Sequence, residues 1–283
     1  MSHILKTGTS ILKNGDNIFR VNDKLNVLVE NKGGFGSVIE GLRIDPIISN
    51  HRVAISGAGF AKIVDTDTFN VIATVSIPGM VVGFAWDSPN NKLYATAGGY
   101  LYIINTTTWT AAATALVGGI YTGIAIDPNS ANNRLIIGGG GKLNFVNRTS
   151  FAITHVMTSG FTGIYGIAFH PDIPNRIYVG NYASNYISVV DTDNFIIVDT
   201  ITGFSSPIDL SFDPNPTNNR FIVSEYAGGQ VAYVDKGTHG ILKRVSAITG
   251  PEGIAFDPNI VNNRFIVASA SLGQYAVVRE ILT

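Results

Sequence analysis

The sequence predicts an all-β fold, a β-propeller of four-stranded antiparallel blades, from three observations. A phrase of the form Gly-Ile-Ala-Phe-Asp-Pro recurs six times, beginning at Gly41, Gly83, Gly123, Gly166, Asp209 (where Asp stands for the Gly) and Gly253. The Asp-like positions Asp45, Asp87, Asp127, His170, Asp213 and Asp257 are spaced by 42, 40, 43, 43 and 44 residues. Within each period, short apolar runs alternate with Gly, Pro, Asn and Asp, and no stretch carries helical periodicity. A period near forty made of strand-length runs is the sequence mark of a propeller.

The fourth copy shows the elements in order. Residues 166–171 form a short apolar strand ended by Pro171, which cannot donate to a ladder. A turn leads to strand two at 176–181, and a Gly/Ser/Asn-type turn to strand three at 186–191. Asp191 caps that strand by bonding its own backbone, and strand four follows at 195–201.

The segment Arg176-Ile-Tyr-Val-Gly-Asn-Tyr-Ala-Ser-Asn-Tyr-Ile-Ser-Val-Val-Asp-Thr192 resembles the YVTN β-propeller repeat, which is related in pattern to NHL and lactonase-like propellers. Weaker copies at 220–235 and 92–105 extend the resemblance over 41–283. It implies the fold but no single function, because such propellers serve as enzymes, binding platforms and structural parts.

One domain over 1–283 is expected: six clear repeats at 41–283 and a compressed N-terminal blade or closure segment at 1–40. Residues 11–13, 18–22 and 26–29 read as strands of an additional blade, the first two joined by the hairpin signal Asn14-Gly15. Seven blades are therefore favoured, with six as the alternative. In the six-blade reading the N-terminus, through Ile4-Leu5-Lys6, supplies the outer strand that the last repeat lacks.

Net charge is −1 and charged residues are 14% of the chain, with no like-charge blocks, which excludes a nucleic-acid partner. Mean hydropathy is +0.24. With no cysteine, disulfide and thiolate chemistry are excluded. No signal-peptide h-region and no membrane-length apolar run occurs, so synthesis in the cytoplasm without membrane insertion is expected.

The repeated polar residues have structural roles. The Asp column caps strand one, and Arg52, Lys92, Arg134, Arg176, Arg220 and Arg264 open strand two beside it, giving local ion pairs. Asn132-Asn133, Asn218-Asn219 and Asn262-Asn263 suit left-handed turn positions.

Function is sought where one copy departs from its siblings. On the face shared by the strand four-to-one and two-to-three loops, Asn181, Asp209, Glu225 and Glu252 are such departures. Asp209, Glu225 and Glu252, with Asn181, have the oxygen chemistry that Ca²⁺ prefers, an arrangement similar to gluconolactonase-type propellers. The same face carries Tyr100, Tyr121, Phe161, Tyr165, Tyr182, Phe204 and Tyr226, rigid aromatics of the kind that protein- and glycan-binding surfaces use. Strand four at 110–116 and 195–198 is almost free of charge, an unblunted rim suited to self-association.

The function expected is a non-enzymatic binding or structural module for protein or glycan partners, extended to a component of a larger assembly such as a phage tail or virion. The alternatives are a metal-dependent lactonase-like hydrolase at the channel mouth and a lectin.

Overall fold

The computed structural model describes residues 10–14, 17–22, 27–33, 35, 38–115, 122–246, 248–271 and 273–280. The first strands are β1 (Ser10–Asn14), β2 (Asn17–Asn22), β3 (Val27–Lys32), β4 (Leu42–Ile44), β5 (Arg52–Asp65), β6 (Val71–Asp87), β7 (Lys92–Ala97), β8 (Tyr100–Asn105) and β9 (Thr110–Ala115). The third and fourth repeats contribute β10 (Ile124–Ile126), β11 (Arg134–Gly139), β12 (Lys142–Asn147), β13 (Ile153–Met157), β14 (Ile164–Phe169), β15 (Arg176–Asn181), β16 (Tyr186–Asp191) and β17 (Ile196–Ile201). The last two contribute β18 (Pro207–Phe212), β19 (Arg220–Glu225), β20 (Gln230–Asp235), β21 (Ile241–Val245), β22 (Pro251–Phe256), β23 (Arg264–Ser269) and β24 (Gln274–Glu280).

These strands form an all-β propeller of antiparallel blades. The third, fourth and fifth repeats each make one four-stranded sheet: β10–β13, β14–β17 and β18–β21. Among the described residues the hydrogen-bonded sheets number five, neither the seven favoured by the sequence nor the six of the alternative. Two causes account for the difference.

First, the N-terminal strands make no blade of their own. β3 pairs with β24, from Tyr275↔Lys32 to Glu280↔Val27, and β2 and β1 extend the same sheet outward. The last repeat thus receives its fourth strand from the N-terminus, by way of 27–32; Ile4-Leu5-Lys6 lies outside the described residues.

Second, the first two repeats share a six-stranded sheet, β4 to β9. The outer strand of one runs through Pro78 and Gly79 (φ 93°) into the inner strand of the next as the 17-residue β6. β5 meanwhile doubles back near Gly59 (φ 85°). Thr66 N donates to His51 O at 2.8 Å across the ends of that run, as Thr192 N does to Asn175 O in the fourth repeat.

Cores lie between successive sheets. Tyr178, Ile187 and Val189 of the fourth repeat, for example, pack with Leu210, Phe221 and Val223 of the fifth. Towards the axis the packing is so close that a Cβ built on Gly41, Gly83 or Gly123 overlaps the carbonyl of Val82, Thr122 or Tyr165 in the following repeat. Only a glycine lets backbones meet there. A cavity of about 10 Å³ remains among Leu42, Gly83, Gly123, Ile208 and Gly253, at the lower limit for one water. On one side of this neck the inner strands enclose about 240 Å³ lined by Arg43, Trp86, Ala125 and Phe169. Among the described residues no helix is long and apolar enough to cross a membrane.

Candidate functional site

The repeated acids and bases form clamps. Asp127 Oδ1 accepts from Asn129 N at 2.8 Å, and its Oδ2 from Asn132 Nδ2 at 3.0 Å and Arg134 Nε at 2.5 Å. Asp45, Asp213 and Asp257 repeat the pattern with Arg52, Arg220 and Arg264. Asn133, Asn219 and Asn263 take the left-handed backbone that follows, at φ 42–43°. The arginines also reach onward: Arg134 Nη2 donates to Thr192 Oγ1 at 2.9 Å, and Arg264 Nη2 to Thr66 O at 2.7 Å, tying the last repeat to the first. These residues hold the ring together.

The four departing residues are all buried and do not share one coordination sphere. At the end of β15, Asn181 accepts from Thr162 N at 2.9 Å and donates to Ser188 Oγ at 2.9 Å. At the matching end of β19, Glu225 accepts from Ser205 N at 2.9 Å and from Arg244 Nε at 2.7 Å. Both therefore hold a strand four-to-one connector.

Asp209 sits in the neck. Its carboxylate accepts from Ile254 N at 3.0 Å and lies 3.2 Å from Arg43 Nη2, an ion pair that plugs the channel. Burial pushes the Asp209 carboxyl up, and Arg43 offsets that rise only in part. Among the described residues no three His, Asp or Glu side chains are grouped to hold a metal ion. Glu225 and Asp209 already have guanidinium partners, so the donor set does not fit Ca²⁺.

Glu252 differs from the other three. It is 7% exposed, and its Oε2 has no hydrogen-bond partner. Burial first, then the charge of Glu40, pushes its carboxyl up to about 8. Burial also raises Glu40. Among the described residues neither acid has a cationic partner.

Glu40, Val82, Thr122, Tyr165, Ile208 and Glu252 each precede the channel glycine or its Asp209 counterpart, and Glu40, Val82, Tyr165 and Ile208 border the neck cavity. Tyr165 feels the charge of both acids: after burial, Glu40 and Glu252 are the next causes that raise its phenol. From Tyr165 an aromatic run continues outward, with ring centroids 5.8 Å apart to Tyr182 and a further 6.0 Å to Tyr226. Three of the five predicted tyrosines thus form one aromatic run, of which Tyr165 is the member near Glu252. Tyr100 is exposed and pairs instead with Tyr102 at 6.3 Å, and Tyr121 lies outside the described residues.

Glu40 was not anticipated from sequence. Its signal is the Glu-Gly pair at 40–41 that matches Glu252-Gly253.

No protein-family model and no curated protein matches the chain. Among solved structures it is similar to the β-propeller domain of Cps50 (Swd1) from Myceliophteria thermophila. The TM-score is 0.63 at 10% identity, covering 88% of this chain and 98% of that one. At that identity the likeness establishes the propeller fold.

Proposed function

We propose that the protein is a non-enzymatic binding module that seats a cationic side chain, Lys or Arg, of a partner protein at the channel mouth. The observation that carries this reading is the Glu40–Glu252 pair, two shielded carboxyl groups with no cation among the described residues, near Tyr165, from which the aromatic run to Tyr182 and Tyr226 starts. A cation over aromatic faces gains about 0.5–2 kcal/mol, more when desolvated, and carboxylates add charge-assisted hydrogen bonds. A seated cation also returns Glu252 towards its ordinary range, so binding expels a proton.

The proposal includes YVTN-type ancestry, supported by the repeat motif, and membership of a larger assembly. The latter is supported by apolar side chains exposed on outer strands, Val71, Ile72, Ile196, Val198 and Leu242. Light scattering tests it: a strict monomer at high concentration refutes self-association.

The mouth is tested by titration calorimetry of arginine-, lysine- and norleucine-bearing peptides at pH 7 in buffers of different ionisation enthalpy. Tight binding of the cationic peptides with proton release, lost in Glu252→Gln and weakened in Tyr182→Ala, is expected. Equal binding of the norleucine peptide refutes the reading.

A further inference from the structure

Two substitutions within the repeat pattern fall side by side between the fourth and fifth repeats. His170 stands in the Asp column, and His239 (φ 61°) stands in the left-handed turn position that holds Phe69, Trp109, Phe151 and Phe195 elsewhere. They converge on a cleft of about 480 Å³, remote from the channel mouth, whose lining includes Arg176, Tyr178, Val198 and Lys236. That volume suits a small organic ligand.

His170 changes the chemistry of its clamp. In the first, third, fifth and sixth repeats an Asp Oδ2 lies 2.5–2.7 Å from the arginine Nε. In the fourth, His170 Nδ1 takes over only the turn-capping part, accepting from Asp172 N and Ile173 N at 3.1 Å each. A neutral imidazole that accepts at Nδ1 carries its proton on Nε2, so a donor replaces the missing carboxylate oxygen.

Arg176 is left with Asp191, 3.8 Å from its Nη2. That carboxylate already accepts from Asp193 N, Asn194 N and Asn175 Nδ2. The two acids that line the cleft, Asp172 and Asp199, are engaged as well. Lys236 Nζ bonds Asp172. His239 Nδ1 lies 3.0 Å from Asp199 Oδ2, with its Nε2 2.8 Å from Tyr178 OH. Arg176 is thus the under-compensated cation of the cleft among the described residues, beside an imidazole N–H and an apolar wall of Ile173, Val189 and Val198.

We propose that this cleft binds a small-molecule carboxylate, its carboxyl group seated against Arg176 and His170 where the sibling repeats hold their own aspartate. The ligand replaces in trans the acid that the fourth repeat has lost. Its apolar body lies along Val189, Val198 and the Tyr178 ring, which the Asp199–His239–Tyr178 chain of hydrogen bonds fixes in place.

The test uses the intact protein with benzoate as probe, benzamide as its neutral isostere and inorganic phosphate as the alternative oxyanion, read by calorimetry and by thermal shift. Benzoate is expected to bind and to raise Tm, with benzamide and phosphate at least ten-fold weaker. Arg176→Gln is expected to lose ten-fold or more in benzoate affinity. His170→Asp, which restores the sibling clamp, is expected to lose binding while Tm holds or rises, so that lost binding is not lost folding. Absence of a benzoate response in the wild type, equal binding of benzamide or phosphate, or undiminished binding by the folded His170→Asp protein overturns the proposal.

Discussion

Replacing Glu252 by Gln should change how stability depends on pH, and the size of the change follows from its surroundings. The folded protein holds the Glu252 proton up to about 8, whereas an unfolded chain releases it near 4.5. Between those limits the native state binds more protons than the unfolded one, so stability contributed by the neutral carboxyl is present below pH 4.5 and drains away as pH rises towards 8. The slope is about 1.4 kcal/mol per pH unit, and over the whole window the loss approaches ~5 kcal/mol.

Gln preserves the shape of a neutral carboxyl and has no proton to lose. The stability difference between Glu252→Gln and wild type, from urea denaturation at pH 5, 6, 7 and 8, should therefore grow in favour of the variant by about 1 kcal/mol or more per unit. Glu40 and His170 titrate in both proteins and largely cancel in the difference. A difference constant to within about 0.5 kcal/mol over that range would falsify the claim that this carboxyl is buried without a partner.

Further outcomes follow from the ring. Arg264→Ala leaves Asp257 buried without its counter-ion and removes the bond to Thr66 O that joins last repeat to first; a loss of about 3–5 kcal/mol in urea denaturation is expected. Gly123→Ala drives a methyl into the Tyr165 carbonyl, and a Tm drop corresponding to about 1–3 kcal/mol checks it. Burial lowers the His170 imidazole below 6.5. Its contribution is thus present above pH 6.5 and lost as pH falls through the lowered value, and His170→Asp should remove that step from the wild-type acid profile.

The blade pattern was open to reading because each repeat states it again. The strands at 176–181 and 186–191 lie where the spacing of turn residues put them, and the Asp–Arg clamps form where the columns align. The sheet count was not open to reading, since it depends on continuity through Pro78–Gly79 and on which neighbour receives β3. Hydrogen bonds between distant segments decide both, and local composition does not encode them.

At the candidate site the sequence pointed to Glu252, Tyr165, Tyr182 and Tyr226. It equally pointed to Asn181 and Glu225, whose side chains turn inward to hold connectors. A departure from the repeat marks a special position without telling whether the neighbour it meets is a loop or a ligand. Arg176 shows the converse: it matches its column, and what sets it apart is the residue opposite, where His170 replaces the aspartate and Asp191 at 3.8 Å is its ion-pair partner.

The seam between β3 and β24 has a kinetic consequence. Its two sides are far apart in the order of synthesis, so β3 must stay unzipped until β24 emerges, its edge open to any passing strand. Contacts this remote in sequence are slow to form. A permuted gene that begins within the 193–194 turn and joins residue 283 to residue 1 would make both sides of the seam neighbours in time, and should shorten that exposed interval.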